Sequence, residues 1–143
     1  MTIFPPTHMS GEPLFVLGGD FDPGTGQLTP SDSGQTFNAQ SPTLSDGTST
    51  FTALGVPRAA FSLALLGQRL YVLGGRTRND APVLEVESFP RVEGANPVTN
   101  PEPFPTLPQG CIGACSVMVG KDLLLVGGTA VTGAPQVHRS NLH

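Results

Sequence analysis

RAAFSLALLGQRLYVLGG, residues 58–75, decides the fold. It holds an apolar run at 60–66, a break at Gly67-Gln68-Arg69, a second run at 70–73, and the pair Gly74-Gly75. Two runs this short with a tight glycine connection read as an antiparallel hairpin. Both runs are apolar at successive positions, which predicts strands buried on both faces. A buried helix is the rival reading; the shortness of the runs and the flanking Gly and Pro argue against it.

The same phrase recurs along the chain. PLFVLGG at 13–19, RLYVLGG at 69–75 and DLLLVGG at 122–128 each close on a Gly pair, so that Gly18, Gly74 and Gly127 are spaced by 56 and 53 residues. Residues 51–75 (FTALGVPRAAFSLALLGQRLYVLGG) lie over 104–128 (FPTLPQGCIGACSVMVGKDLLLVGG) without a gap, matching Gly67 to Gly120 and Gly74-Gly75 to Gly127-Gly128. The match runs on to Ala81-Pro82 over Ala134-Pro135, so 51–89 has a counterpart in 104–142. The first copy joins late, from Gly11, and includes Gly18-Gly19. A third strand is predicted at 83–89 (VLEVESF), with Glu85 and Glu87 on one face, and a segment around 51–54 supplies a fourth. The glycine pairs suit points where the chain leaves an inner strand and backbones approach closely.

A period near 50 with four short strands is the pattern of a propeller blade. Residues 58–75 resemble a kelch repeat: Arg58 opens the second strand, Gly67 turns the hairpin, Tyr71 precedes two aliphatics, and Gly74-Gly75 closes the unit. The third copy keeps the spacing but has Cys111 for Arg58 and Leu124 for Tyr71; Gly120, Gly127 and Gly128 keep their places. The family also carries a fourth-strand Tyr and a Trp opening the next repeat. This chain has no Trp; Phe51 and Phe104 take that place, and Glu87 stands near the Tyr position.

The resemblance implies an all-β fold of kelch-like β-propeller blades, each a four-stranded antiparallel sheet, in an incomplete ring. Residues 1–143 then form a single partial propeller domain, with a blade fragment at 11–38 and blades at 51–89 and 104–142. Pro5 and Pro6 disfavour a central strand ahead of the fragment. Because propellers close with about four to eight blades, the expectation is a part of a longer chain or copies that self-assemble.

Composition narrows the partners. Eighteen glycines and 15 prolines in 143 residues stop short of a low-complexity chain. Seven basic against 11 acidic residues give a net charge of −4, with Lys121 the sole lysine. That leaves no basic footprint for nucleic acid or an anionic membrane. No apolar run reaches the length of a membrane span, and MTIFPPTHMS has neither the basic nor the apolar region of a secretory signal. Compartment is left open. Cys111 and Cys115, read on one strand, stand too far apart for a disulfide, and their spacing is a poor zinc signal.

Candidate chemistry is sparse. Asp20-Phe21-Asp22-Pro23-Gly24 places two carboxylates in a turn, but without the further ligands of a calcium loop; an Asp/Pro/Gly turn is the simpler reading. Asp32-Ser33-Gly34-Gln35-Thr36-Phe37 resembles an Asp-box, a structural hairpin of sialidase-type propellers, with Pro30 at the position of its Ser. His8, His138 and His143 lack metal-ligand spacing, and no G-x-S-x-G elbow is present. No metal and no cofactor is expected. Arg76 and Arg78 follow the second Gly pair, where an Arg can hold a carboxylate bidentately; Arg58 reads as structural, its guanidinium on blade-edge carbonyls.

The expected function is a non-catalytic binding scaffold presenting loops to a protein or carbohydrate ligand, with Arg76, Arg78, Asp80, Asp20 and Asp22 as contact residues. The alternative is a segment of a propeller enzyme acting on carbohydrate, an epimerase or oxidase type, with catalytic residues mostly outside this chain. The oxidase type needs two Tyr, and only Tyr71 is present.

Overall fold

The computed structural model describes residues 2–3, 13–38, 49–52, 54–67, 69–90, 102–120, 122–130 and 137–141. The described chain is all-β, without a helix, in several small antiparallel sheets. The first sheet runs Thr2–Ile3, Pro13–Leu17, Ser33–Asn38, Ser49–Thr52 in spatial order. The second runs Ser62–Leu66, Arg69–Leu73, Val86–Pro90, Glu102–Phe104. The third holds Cys115–Val119, Asp122–Val126 and Val137–Asn141. Two-stranded ribbons, Asp20–Phe21 with Thr29–Pro30 and Cys111–Ile112 with Thr129–Ala130, lie beyond the Gly pairs.

The hairpin at 58–75 forms as its residues predict: Ser62 faces Leu73 and Leu66 faces Arg69 across a turn at Gly67, which has a positive φ of 57°. The third copy repeats it, with Cys115 opposite Val126 and Val119 opposite Asp122.

The grouping of strands differs from the expectation in three ways. Ser49–Thr52 pairs with Ser33–Asn38, and Glu102–Phe104 with Val86–Pro90. Phe51 and Thr52, like Phe104, therefore lie on the edge strand of the preceding sheet, rather than opening units at 51–89 and 104–142. A sequence period gives the length of a repeat but not its phase, and here the connection between sheets falls inside the aligned stretch. The 11–38 fragment belongs to a four-stranded sheet, because Thr2 and Ile3 pair with Leu17 and Val16; Pro5 and Pro6 lie outside the described residues. The strand expected at 83–89 is Val86–Pro90.

The core is built between sheets. Neighbours on one strand face opposite ways, and the second sheet carries apolar side chains on both faces. Val72 and Phe89 on one face of the second sheet pack with Leu17 of the first and with Leu54 and Phe61 of the connecting segment. Ala64, Tyr71, Leu73 and Val86 on the other face pack with Leu107, Cys111, Ala114, Leu123 and Leu125. The Tyr71 and Phe104 rings meet edge to face, centroids 5.4 Å apart. Ser116 joins the edge strands Ser62–Leu66 and Cys115–Val119: its hydroxyl donates to Leu63 O at 2.6 Å and accepts from Ser62 at 2.9 Å. Both sheet-on-sheet joints thus use the same pair of faces, head to tail.

Candidate functional site

The segment 54–61 crosses from the first sheet to the second and carries the most buried cation among the described residues. Arg58 is fully buried. Its Nη1 donates to Glu85 O at 2.7 Å and Gly74 O at 3.2 Å, and its Nε to Val56 O at 3.3 Å. Its Nη2 pairs with the Glu87 carboxylate. Glu87 in turn accepts from the Gly55 and Val56 amides, at 2.7 and 3.2 Å. Burial pushes the Arg58 guanidinium below its ordinary range, and the Glu87 charge opposes that shift. A charge is kept in a dry interior only when it is paired and hydrogen-bonded throughout, as here. Arg58 therefore clamps the crossing segment to the second sheet and offers nothing to a ligand.

Its partner Glu87 escaped sequence reasoning. Alternation set it beside Glu85 on one face, yet Glu85 lies before the strand and is exposed while Glu87 is buried. The two members stand 29 residues apart, a separation no local pattern reveals. The available signal was a carboxylate in a strand that also holds Val86 and Phe89.

In the third unit Cys111 holds the place of Arg58. Gly75 N donates to Cys111 O at 2.8 Å, as Gly19 N donates to Arg58 O at 3.2 Å. His138 stands opposite Leu125 as Glu87 stands opposite Val72, so the last strand is offset by two residues from the alignment that set His138 on Glu85. His8 and His143 lie outside the described residues. Cys111 and Cys115 sit in different strands rather than one, both as free thiols, the first buried and the second exposed. Burial pushes the Cys111 thiol up.

The loops after the first two Gly pairs come together. Arg76 Nη2 meets Asp20 Oδ2 at 2.6 Å, and its Nη1 meets Asp80 Oδ1 at 3.2 Å. The carboxylates that Arg76 holds are thus the chain's own. The 76–82 loop is closed by Thr77 N to Ala81 O at 2.9 Å and Asp80 N to Thr77 O at 3.1 Å. Asp80 adopts a positive φ of 56°, a conformation Asp tolerates better than most side chains. Arg78 is exposed. Asp22 Oδ1 accepts from the Gly24, Thr25 and Gly26 amides at 2.9–3.0 Å, which makes it the organiser of its own turn. Asp32, of the Asp-box-like stretch, lies between two strands, and its carbonyl accepts from Leu54 N.

A scan of the chain against protein-family models gives no match, and no curated protein matches it. The site therefore stands on its geometry.

Two neighbours of the charged cluster were not singled out in the sequence. Phe21 is 48% exposed and Leu28 63%, both on the loop that begins with Asp20. Large apolar groups at a preformed loop are legible only once burial is known, since their sequence context matches that of core residues. Among the described residues no group of three or more His, Cys, Asp or Glu could hold a metal ion. Among the same residues no helix is long and apolar enough to cross a membrane.

Proposed function

We propose that the chain is a non-catalytic binding scaffold made of kelch-type propeller blades, whose loops beyond the Gly pairs take a protein surface. The carrying observation is the joined loop pair: the Arg76 ion pair with Asp20 locks two loops from adjacent sheets, with Phe21, Leu28 and Arg78 exposed around it. A rigid platform that presents an aromatic, an aliphatic and an Arg has the composition of an interface centre, and preorganisation lowers the entropic cost of binding. Phe21 and Leu28 favour a protein over a glycan, the other ligand the resemblance implies.

A random peptide library displayed on phage, panned on the wild-type chain beside a glycan array, tests this. Selected peptides should bind the Phe21→Ala, Arg78→Ala double variant about tenfold more weakly or worse, with an unchanged melting temperature. Peptides indifferent to both substitutions, or binding confined to glycans, would remove the loop pair as a protein site.

A further inference from the structure

The third sheet has an apolar face that nothing in the described chain covers. Val117 is 48% exposed, Val119 55% and Val126 41%, with Cys115 exposed beside them. They share one face: Cys115 stands opposite Val126 and Val117 opposite Leu124. Solvated single valines are ordinary, whereas a contiguous set on one sheet marks an interaction surface.

The repeat says what that surface fits. By the gapless alignment, Cys115, Val117, Val119, Leu124 and Val126 hold the positions of Ser62, Ala64, Leu66, Tyr71 and Leu73. In the second sheet Ala64, Tyr71 and Leu73 are the residues buried under the next unit, against Leu123 and Leu125. Leu123 and Leu125 hold the positions of Leu70 and Val72, which pack the same way toward Leu17 of the first sheet. Each joint therefore presses one kind of face onto one complementary kind. By the same sequence alignment, Leu14 and Val16 of the strand Pro13–Leu17 hold the repeat positions of Leu70 and Val72.

We infer that the open face of the third sheet takes the first sheet of a second copy of this chain, continuing the head-to-tail stacking seen twice within one copy. The contact is heterologous, so it either closes or grows without limit. The three larger sheets among the described residues of each copy give six from two copies, inside the range of about four to eight at which propellers close. Ring closure rests on the propeller reading proposed above; the pairing of faces rests on the two observed joints.

Light scattering on the full chain over a concentration series, with alkylation of Cys115 on the same samples, tests the inference. The expected result is a discrete dimer in which Cys115 labelling slows as the dimer forms. Val117→Glu, at an exposed position, should weaken association about tenfold or more without lowering the melting temperature of the monomer; Val126→Lys is the second such variant. Leu14→Glu should weaken it from the other end. Mixing Val117→Glu with Leu14→Glu should restore association, because a mixed pair keeps one unaltered joint. A single-chain mass at every concentration would overturn the inference, as would a dimer that Val117→Glu leaves intact. Unlimited growth would overturn the closed ring. Loss of peptide binding at the Phe21 loop leaves the mass unchanged, so failure of the loop site is distinguishable from failure of this joint.

Discussion

The second and third sheets are built from one repeated sentence of sequence, yet they are held differently. The strand Arg69–Leu73 lies between two strands of its sheet and under apolar side chains on both faces. The strand Asp122–Val126 also has a partner on each side, but only Leu123 and Leu125 face a core, and Val126 lies open. Both strands are central in their sheets, so the contrast bears on what a neighbouring sheet adds. In the second sheet a buried ion pair anchors the crossing segment; in the third the Arg58 place is a buried thiol. Position in the stack, rather than local sequence, decides which residues become core.

The largest effect is expected from a charge placed on the equivalent faces. Ala64→Glu would bury an unpaired carboxylate between the second and third sheets and should cost about 3–5 kcal/mol or prevent folding. Val117→Glu occupies the matching position in the open and should stay within about 0.5 kcal/mol of wild type. Chemical denaturation of both measures the difference, and equal costs would erase the contrast between covered and open faces.

Arg58→Met comes next. It leaves Glu87 charged and buried and takes the donor from three carbonyls, for a loss of about 3–5 kcal/mol. Glu87→Gln keeps an acceptor for the Gly55 amide and should cost less, about 1–3 kcal/mol. Removal of the Cys111 thiol in Cys111→Ala should fall near 1 kcal/mol. If Arg58→Met is no worse than Cys111→Ala, the ion pair is not what anchors the second unit.

Glycines at one repeat position sharpen the same comparison. A Cβ on Gly74 would sit 2.4 Å from Cys111 O, and its φ is +66°. Gly127 has a φ of +76° but meets nothing within 4 Å. Gly74→Val should therefore lose about 3 kcal/mol or more, combining strain with a backbone clash, and Gly127→Val only the strain, about 1–2 kcal/mol. Thermal melts of the two variants check the order.

The smallest effect concerns Ala60, which has a positive φ of 53° where the third copy has Gly113. Ala60→Gly should leave stability unchanged or raise it by up to about 1 kcal/mol. A clear loss in the melt would show that the Ala60 methyl packs well enough to outweigh its backbone strain.

Much of the all-β architecture was legible because short apolar runs, hairpin glycines and Gly pairs are local signals repeated in tandem. The hairpins at 62–73 and 115–126 follow from them directly. What escaped is non-local. The phase of the repeat hangs on whether Ser49–Thr52 pairs backward or forward, and either choice satisfies the same pattern. Glu87 finds Arg58 only through the fold. The exposure of Val117 and Val126 turns on what lies beside the third sheet, while their composition is that of a core. Of the loop residues, Asp20, Arg76 and Asp80 do meet, whereas Asp22 is occupied by its own turn and Arg78 is exposed to solvent. Phe21 and Leu28 join them only once exposure is known.

The most direct test of the account is native-state hydrogen exchange on dilute, monomeric chain, comparing the amides of Arg69–Leu73 with those of Asp122–Val126. Both strands have a partner on each side, so coverage of the faces is the variable. The second-sheet amides should exchange only on global unfolding, while those of the third exchange about tenfold faster or more through local opening. Equal protection in the two strands would contradict it.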